Sequence, residues 1–201
     1  MLRVMTPTAV LLLAALPALA QPAHLQPTRD VSVTYRMNAP AAGGAPAAPQ
    51  EMRMAFSVSE GKQRIDPPGN MGWMLIDRKA NTAVMVMDAQ RATMAMPPAT
   101  VGAMTQGVPP GATFTRKGTA TVAGLACTEW DVTAGQGRGT SCITEDGVLL
   151  RAVTTPPNGT PMTVMEATQV TYAPVEATRL TVPQGYSPMA MPGGAGTTPA
   201  R

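Results

Sequence analysis

Few residues in this chain could do chemistry, and those few narrow the options quickly. Cys127 and Cys142 are the only cysteines, and His24 is the only histidine. Such a thiol pair has three readings: a disulfide, two free thiols, or half of a metal site. A zinc-type site needs three or four ligands, and there is no second histidine to help complete one. A serine nucleophile needs a neighbouring base, usually histidine, and His24 lies in a stretch without a strand pattern to hold it still. Asp66, Asp77 and Asp88 recur at the ends of apolar runs. Paired carboxylates can act as acid and base, but acids at strand ends also solvate edges and cap turns, and the second role explains these better. Gly135 to Gly139 is glycine-rich but lacks the following helix of a phosphate-binding loop. Asn158-Gly159-Thr160 matches a glycosylation triplet and marks an exposed loop. The expectation is a protein with no catalytic residues, no metal ligand set and no cofactor.

The methionines are the larger question. There are 16 of them, against 3% aromatic residues. Met52/Met54, Met85/Met87, Met94/Met96 and Met189/Met191 are Met-x-Met pairs, and in a strand each pair points to one face. They could fill a core in place of Leu and Ile. They could line a pliable apolar groove for acyl chains or varied peptides. They could capture a soft cation such as Cu(I), although the three internal pairs read as buried strand positions and the fourth has no histidine beside it.

The elements that would position these residues are short and extended. Val31, Val33, Tyr35 and Met37 alternate with Ser32, Thr34 and Arg36, and Met52, Met54, Phe56 and Val58 repeat the pattern. Between them, Ala39 to Pro49 is an Ala/Gly/Pro tract that reads as a flexible hairpin loop. Further strands are expected over 62–66, 73–77, 83–88 and 93–96, the 83–88 segment being apolar on both faces. A short helical turn is expected near Val101 to Gln106. The second half reads as strands over 113–117, 119–122, 127–133, 140–144, 148–154, 162–172 and 178–182. The fold class is all-β with minor helix, a single domain over 30–183. Residues 21–29 read as a flexible N-terminus and 184–201 as a disordered Pro/Gly/Met tail.

Compartment follows from the first residues. Arg3 precedes an apolar run from Ala9 to Leu19, and Ala18-Leu19-Ala20 supplies a small-x-small ending, the layout of a signal peptide over 1–20 cleaved before Gln21. The run is about half of the roughly 20 residues that span a bilayer, so no lasting membrane insertion is expected, and the product should be periplasmic or secreted. In that setting the disulfide is the preferred reading of Cys127 and Cys142. The two are symmetric about a point between Ala134 and Gly135. If Thr133 and Gln136 flank a turn there, the cysteines lie directly opposite on neighbouring antiparallel strands. Charge excludes one partner class: 15 Lys plus Arg against 12 Asp plus Glu give a net charge of +3, with no basic run for nucleic acid.

A family resemblance adds to this. Gly61-Lys-Gln-Arg-Ile-Asp66, Met74-Leu-Ile-Asp-Arg78, Val84-Met-Val-Met-Asp88 and Met94-Ala-Met96 resemble an uncharacterised periplasmic family with a domain of unknown function, allied to the LolA/LolB-like outer-membrane lipoprotein carrier fold. Val122-Ala-Gly-Leu-Ala-Cys127, Trp130-Asp-Val and Asp146-Gly-Val-Leu-Leu-Arg151 are similar to that family's second half. The resemblance spans Asp30 to Val182. It implies a strongly curved antiparallel sheet, an unclosed half-barrel whose concave face is apolar and, in the carriers, receives lipid acyl chains beneath short helices. Met52, Met54, Met85, Met87, Met94 and Met96 would then line the concavity. The chain departs from that plan in its few aromatics and its very short lid candidate. The expected function is non-catalytic binding or carriage of an apolar ligand such as an acyl chain or lipid. A structural or protein-interaction module with a Met-rich core is the alternative.

Overall fold

The computed structural model describes residues 21–38, 48–69, 71–106, 108, 111–157 and 159–189. Residues 1–20, where a signal peptide is expected, most of the Ala/Gly/Pro linker, Asn158 and the chain from 190 onward, Met191 included, lie outside the described residues.

Alternating apolar and polar residues fold as the periodicity requires. Strands β1 (Val31–Met37), β2 (Gln50–Ser57), β3 (Lys62–Asp66), β4 (Trp73–Asp77), β5 (Thr82–Met87) and β6 (Ala92–Ala95) form an antiparallel meander. Helix α1 (Pro98–Gln106) begins with proline at its first helical position, where the missing N–H costs nothing. Strands β7 (Thr113–Val122), β8 (Leu125–Ala134), β9 (Gly137–Ile143), β10 (Leu149–Thr155) and β11 (Met162–Thr171) complete a second meander. β11 then pairs with β1, joining both halves. With β12 (Ser187–Met189), the described residues make one twelve-stranded sheet in the order β12-β6-β5-β4-β3-β2-β1-β11-β10-β9-β8-β7. It does not close on itself, and β12 and β7 are its edges: an all-β unclosed half-barrel. Register shifts at Thr34/Tyr35, Ala152/Val153, Leu149/Arg151 and Arg116/Gly118 interrupt the ladders, and such bulges bend strands and increase their twist.

The main core contains Val31, Val33, Tyr35, Met52, Leu150, Ala167 and both cysteines. β5 is apolar on both faces because each is covered. Ala83 and Ile76 on one side receive Val101 of α1, while Val86, Trp73 and Leu75 on the other receive Leu180 from the C-terminal segment. The side carrying α1 is called the inner face below.

The chain departs from the sequence reading in five places. The 113–117 and 119–122 segments form one strand, β7, that accommodates Gly118 by a bulge. Residues 178–182, expected as a strand, contain a 3-10 turn at Ala177–Leu180, which inserts Leu180 at 0% exposure against Trp73 and Val86. Ser187–Met189, within the expected tail, add β12 alongside β6 in parallel. Residues 21–29, expected to be loose, hold contacts along the inner face, described below. The β8–β9 turn is Gly135-Gln136, closed by the pair Ala134↔Gly137. Glu129, and not Cys127, therefore stands opposite Cys142. The cysteines bond diagonally, two residues out of direct register, with Cα atoms 5.4 Å apart. The turn slides because Gly135 takes φ +57°, a conformation that suits glycine better than alanine.

Candidate functional site

The inner face holds a cavity of about 160 Å³, bounded by the first meander, α1, the β9–β10 turn and the N-terminal segment. Met54 and Phe56 enter from β2, Tyr35 from β1 and Met165 from β11, while Met104 descends from α1 and Leu25 from the N-terminus. Alternation fixes the sheet's share: Val33↔Met54 and Met54↔Ile65 are direct cross-strand pairs, so these side chains share one face.

Two polar residues stand in this apolar surround. Gln63 shares strand phase with Ile65 and is 6% exposed. Arg78 follows β4, and its Nη2 donates to Gln63 Oε1 at 2.7 Å. Its guanidinium carbon lies 5.5 Å from the Phe56 ring centroid. Arg78 Nε is buried without any hydrogen-bond partner, the one such side-chain nitrogen or oxygen among the described residues. Burial lowers the Arg78 pKa from its ordinary value, the sign expected for a cation deprived of water. A buried donor without an acceptor costs about 1–3 kcal/mol, so the site carries an unmet demand for an acceptor.

The cavity's outer wall is the N-terminal segment. Gln26 Nε2 donates to Thr105 O at 2.5 Å, tying the segment to α1. Thr28 N donates to Asp146 O at 3.0 Å, and Arg29 Nε to Asp146 Oδ2 at 2.7 Å. The Arg29 guanidinium also stacks 3.6 Å from the Tyr172 ring centroid. Burial alone would raise the Asp146 pKa, but hydrogen bonds from Thr144, Arg29 and Tyr172 outweigh it and hold the carboxyl below its ordinary value. Gly147 lets the segment lie down: at φ +88° it faces Gln26, and an added Cβ would meet Gln26 O at 2.1 Å. Opposite, Tyr35 OH donates to Leu149 O at 2.8 Å, and burial pushes its phenol pKa up.

The six expected methionines divide. Met54 lines the cavity, Met52 is in the main core, and Met96 packs beside Val101 under α1. Met85, Met87 and Met94 are half-buried and belong to none of the four apolar clusters. Sequence reasoning missed Gln63, Arg78, Met104, Met165 and Leu25. Gln63 was visible in principle, as a polar residue in the apolar phase of β3. A larger recess of about 550 Å³ lies over β8–β11, lined by Lys117, Glu129, Asp131, Thr140 and Arg151 among others. Four of its five charged side chains pair, Arg151 with Glu129 at 2.8 Å and Lys117 with Asp131 at 3.6 Å, while Arg138 lines it without an ion pair among the described residues.

Residues 45–154, more than half of the chain, match the family described as a domain of unknown function, DUF4412. The chain belongs to this family. The DUF4412 match takes in Met54, Phe56, Gln63, Arg78, Met104 and both cysteines; β1 and β11 fall outside it. No curated protein shows significant similarity to the chain. Among solved structures, an uncharacterised conserved protein from Thermus thermophilus is similar at TM-score 0.58 and 9% identity, over 82% of this chain and 91% of that one. MucB is similar at TM-score 0.50 and 12% identity, over 80% of this chain and 59% of MucB. At such identities the likeness shows the fold, a β-rich module shared with part of MucB. The Cys127–Cys142 bond fits an exported protein.

Proposed function

We propose that this chain is an exported, non-catalytic binding module that takes an apolar ligand carrying an anionic group, held on the inner face. The observation that carries the reading is the buried Arg78 Nε, without an acceptor, beside a cavity walled by Met54, Phe56, Met104, Met165 and Leu25. The apolar part of the ligand would lie against those side chains and its acceptor oxygen would meet Nε. A cavity of about 150 Å³ holds a benzene-sized guest, so at about 160 Å³ the site takes a short acyl segment or one ring as it stands. A longer chain requires the N-terminal segment or α1 to move outward. Thioethers suit such variable occupants. The resemblance of the sequence to lipoprotein carriers, the signal-peptide pattern and the disulfide support a periplasmic carrier-like role.

A second reading, a protein-interaction module, is favoured by β7, a ten-residue edge strand with neighbours on one side only among the described residues. An extended peptide can add to such an edge, although the bulge beside Lys117 is a feature that discourages pairing. Native mass spectrometry separates the two readings when protein from its own exported compartment is weighed before and after organic extraction. A co-purifying species of lipid or fatty-acid mass, lost on extraction, supports ligand binding. A clean apo mass with no uptake of added fatty acid turns the account to a protein partner at β7.

A further inference from the structure

A second feature, independent of the cavity, runs across the first meander. Met74 stands directly opposite Met85, Met85 opposite Met94, and Met94 beside Met189. Four neighbouring strands, β4, β5, β6 and β12, thus place a methionine at the same row position on the same face. Directly paired side chains have Cβ atoms about 4.5–5.5 Å apart, and each methionine has three rotatable bonds to bring its sulfur inward. Apolar packing accounts for only part of the row. Met74 joins the cluster under α1, but Met85, Met94 and Met189 belong to no apolar cluster. Met189 is 50% exposed on the edge strand. β12 spans only three residues, and its pairing brings Met189 into line with the other three.

We infer that Met74, Met85, Met94 and Met189 form a thioether site for a soft monovalent cation, Cu(I), at the β12 edge of the sheet. Neutral sulfur ligands select Cu(I) over Zn(II) or the hard divalent ions, which prefer nitrogen, thiolate or oxygen. Three of the four sulfurs suffice to surround the ion, and the half-exposed Met189 is the ligand through which it enters.

The test is anaerobic titration of the full exported protein, disulfide intact, with Cu(I) against a chromophoric Cu(I) chelator. One equivalent should transfer to the protein. Met85→Leu and Met94→Leu keep apolar volume and remove only sulfur, so each should weaken retention by about tenfold or more while leaving the thermal midpoint unchanged. A wild-type protein that takes no Cu(I) from the chelator, or a Met85→Leu/Met94→Leu double variant that retains it equally, overturns the site. Should a variant fail to fold, NMR of ε-methyl-labelled wild type with Ag(I), a redox-inert stand-in, decides the matter. Shifts confined to Met74, Met85, Met94 and Met189 support the assignment; shifts elsewhere in their place defeat it.

Discussion

Arg78 concentrates the functional argument in one side chain. A guanidinium that is half satisfied by Gln63 and stacked near Phe56 costs stability unless an acceptor arrives. Arg78→Met should therefore lower the unfolding free energy of the empty protein by no more than about 1 kcal/mol, since it removes an orphan donor but strands Gln63. The same variant should lose about tenfold or more in affinity for an anionic amphiphile, because a charge-assisted hydrogen bond contributes about 1.5–3 kcal/mol. Thermal melts and a fluorescent fatty-acid titration measure the two effects separately. Gly147 makes a structural counterpart. Gly147→Ala places a methyl against Gln26 O and forces a positive φ on a residue that avoids it, and should cost about 1–3 kcal/mol. Faster amide exchange in residues 21–30 of that variant would show that the wall, and not the sheet, has loosened.

At the scale of elements, the N-terminal segment and α1 act as the cavity's removable wall, and the wall has a titratable anchor. Asp146 is held below its ordinary pKa of 3.8, so its folded value lies under its unfolded one. The stabilisation is complete above the ordinary value and is lost as pH falls through the folded one. Arg29, Tyr172 and Thr144 face the carboxylate, and Arg29 keeps its charge throughout, so acid weakens this anchor by neutralising Asp146. Hydrogen exchange read by mass spectrometry, corrected for intrinsic rates and compared at about pH 5 and about pH 2, should show residues 21–30 losing protection at the lower pH before the strands do. Equal protection at both pH values would mean that Gln26 and Leu25 hold the segment without Asp146. The β8–β9 hairpin is the opposite kind of element, closed covalently. Its disulfide spans 15 residues, and replacing both cysteines by alanine should cost about 3 kcal/mol in a denaturant melt.

For the whole molecule, alternation made the sheet legible: the phases of Val31/Val33/Tyr35 and Met52/Met54/Phe56 gave strand positions and shared faces, and Trp73–Asp77 is bounded in the structure as in the sequence reading. What local pattern could not supply was contact between distant segments. Leu25 and Gln26 carry no periodicity, and their place depends on Gly147 and Thr105, far along the chain. Thr178 to Val182 looks extended locally, yet Leu180 is turned inward by the demand of Trp73 and Val86 for cover. The cysteine register was misjudged by two residues because Ala134-Gly135 and Gly135-Gln136 are both plausible turns, and backbone conformation decided between them. At the cavity, Met54 was legible from its phase, whereas Arg78 lies just beyond the expected 73–77 strand and its inward reach depends on Gln63 across the β3–β4 pair.

The central claim is that the inner face binds an amphiphile through Arg78. It is tested most directly by titrating delipidated protein with a fluorescent fatty acid and with its uncharged methyl ester. The account predicts one acid bound per chain, about tenfold or more tighter than the ester, with the difference abolished in Arg78→Met. Equal binding of acid and ester by the wild type, or no saturable binding of either, would contradict it.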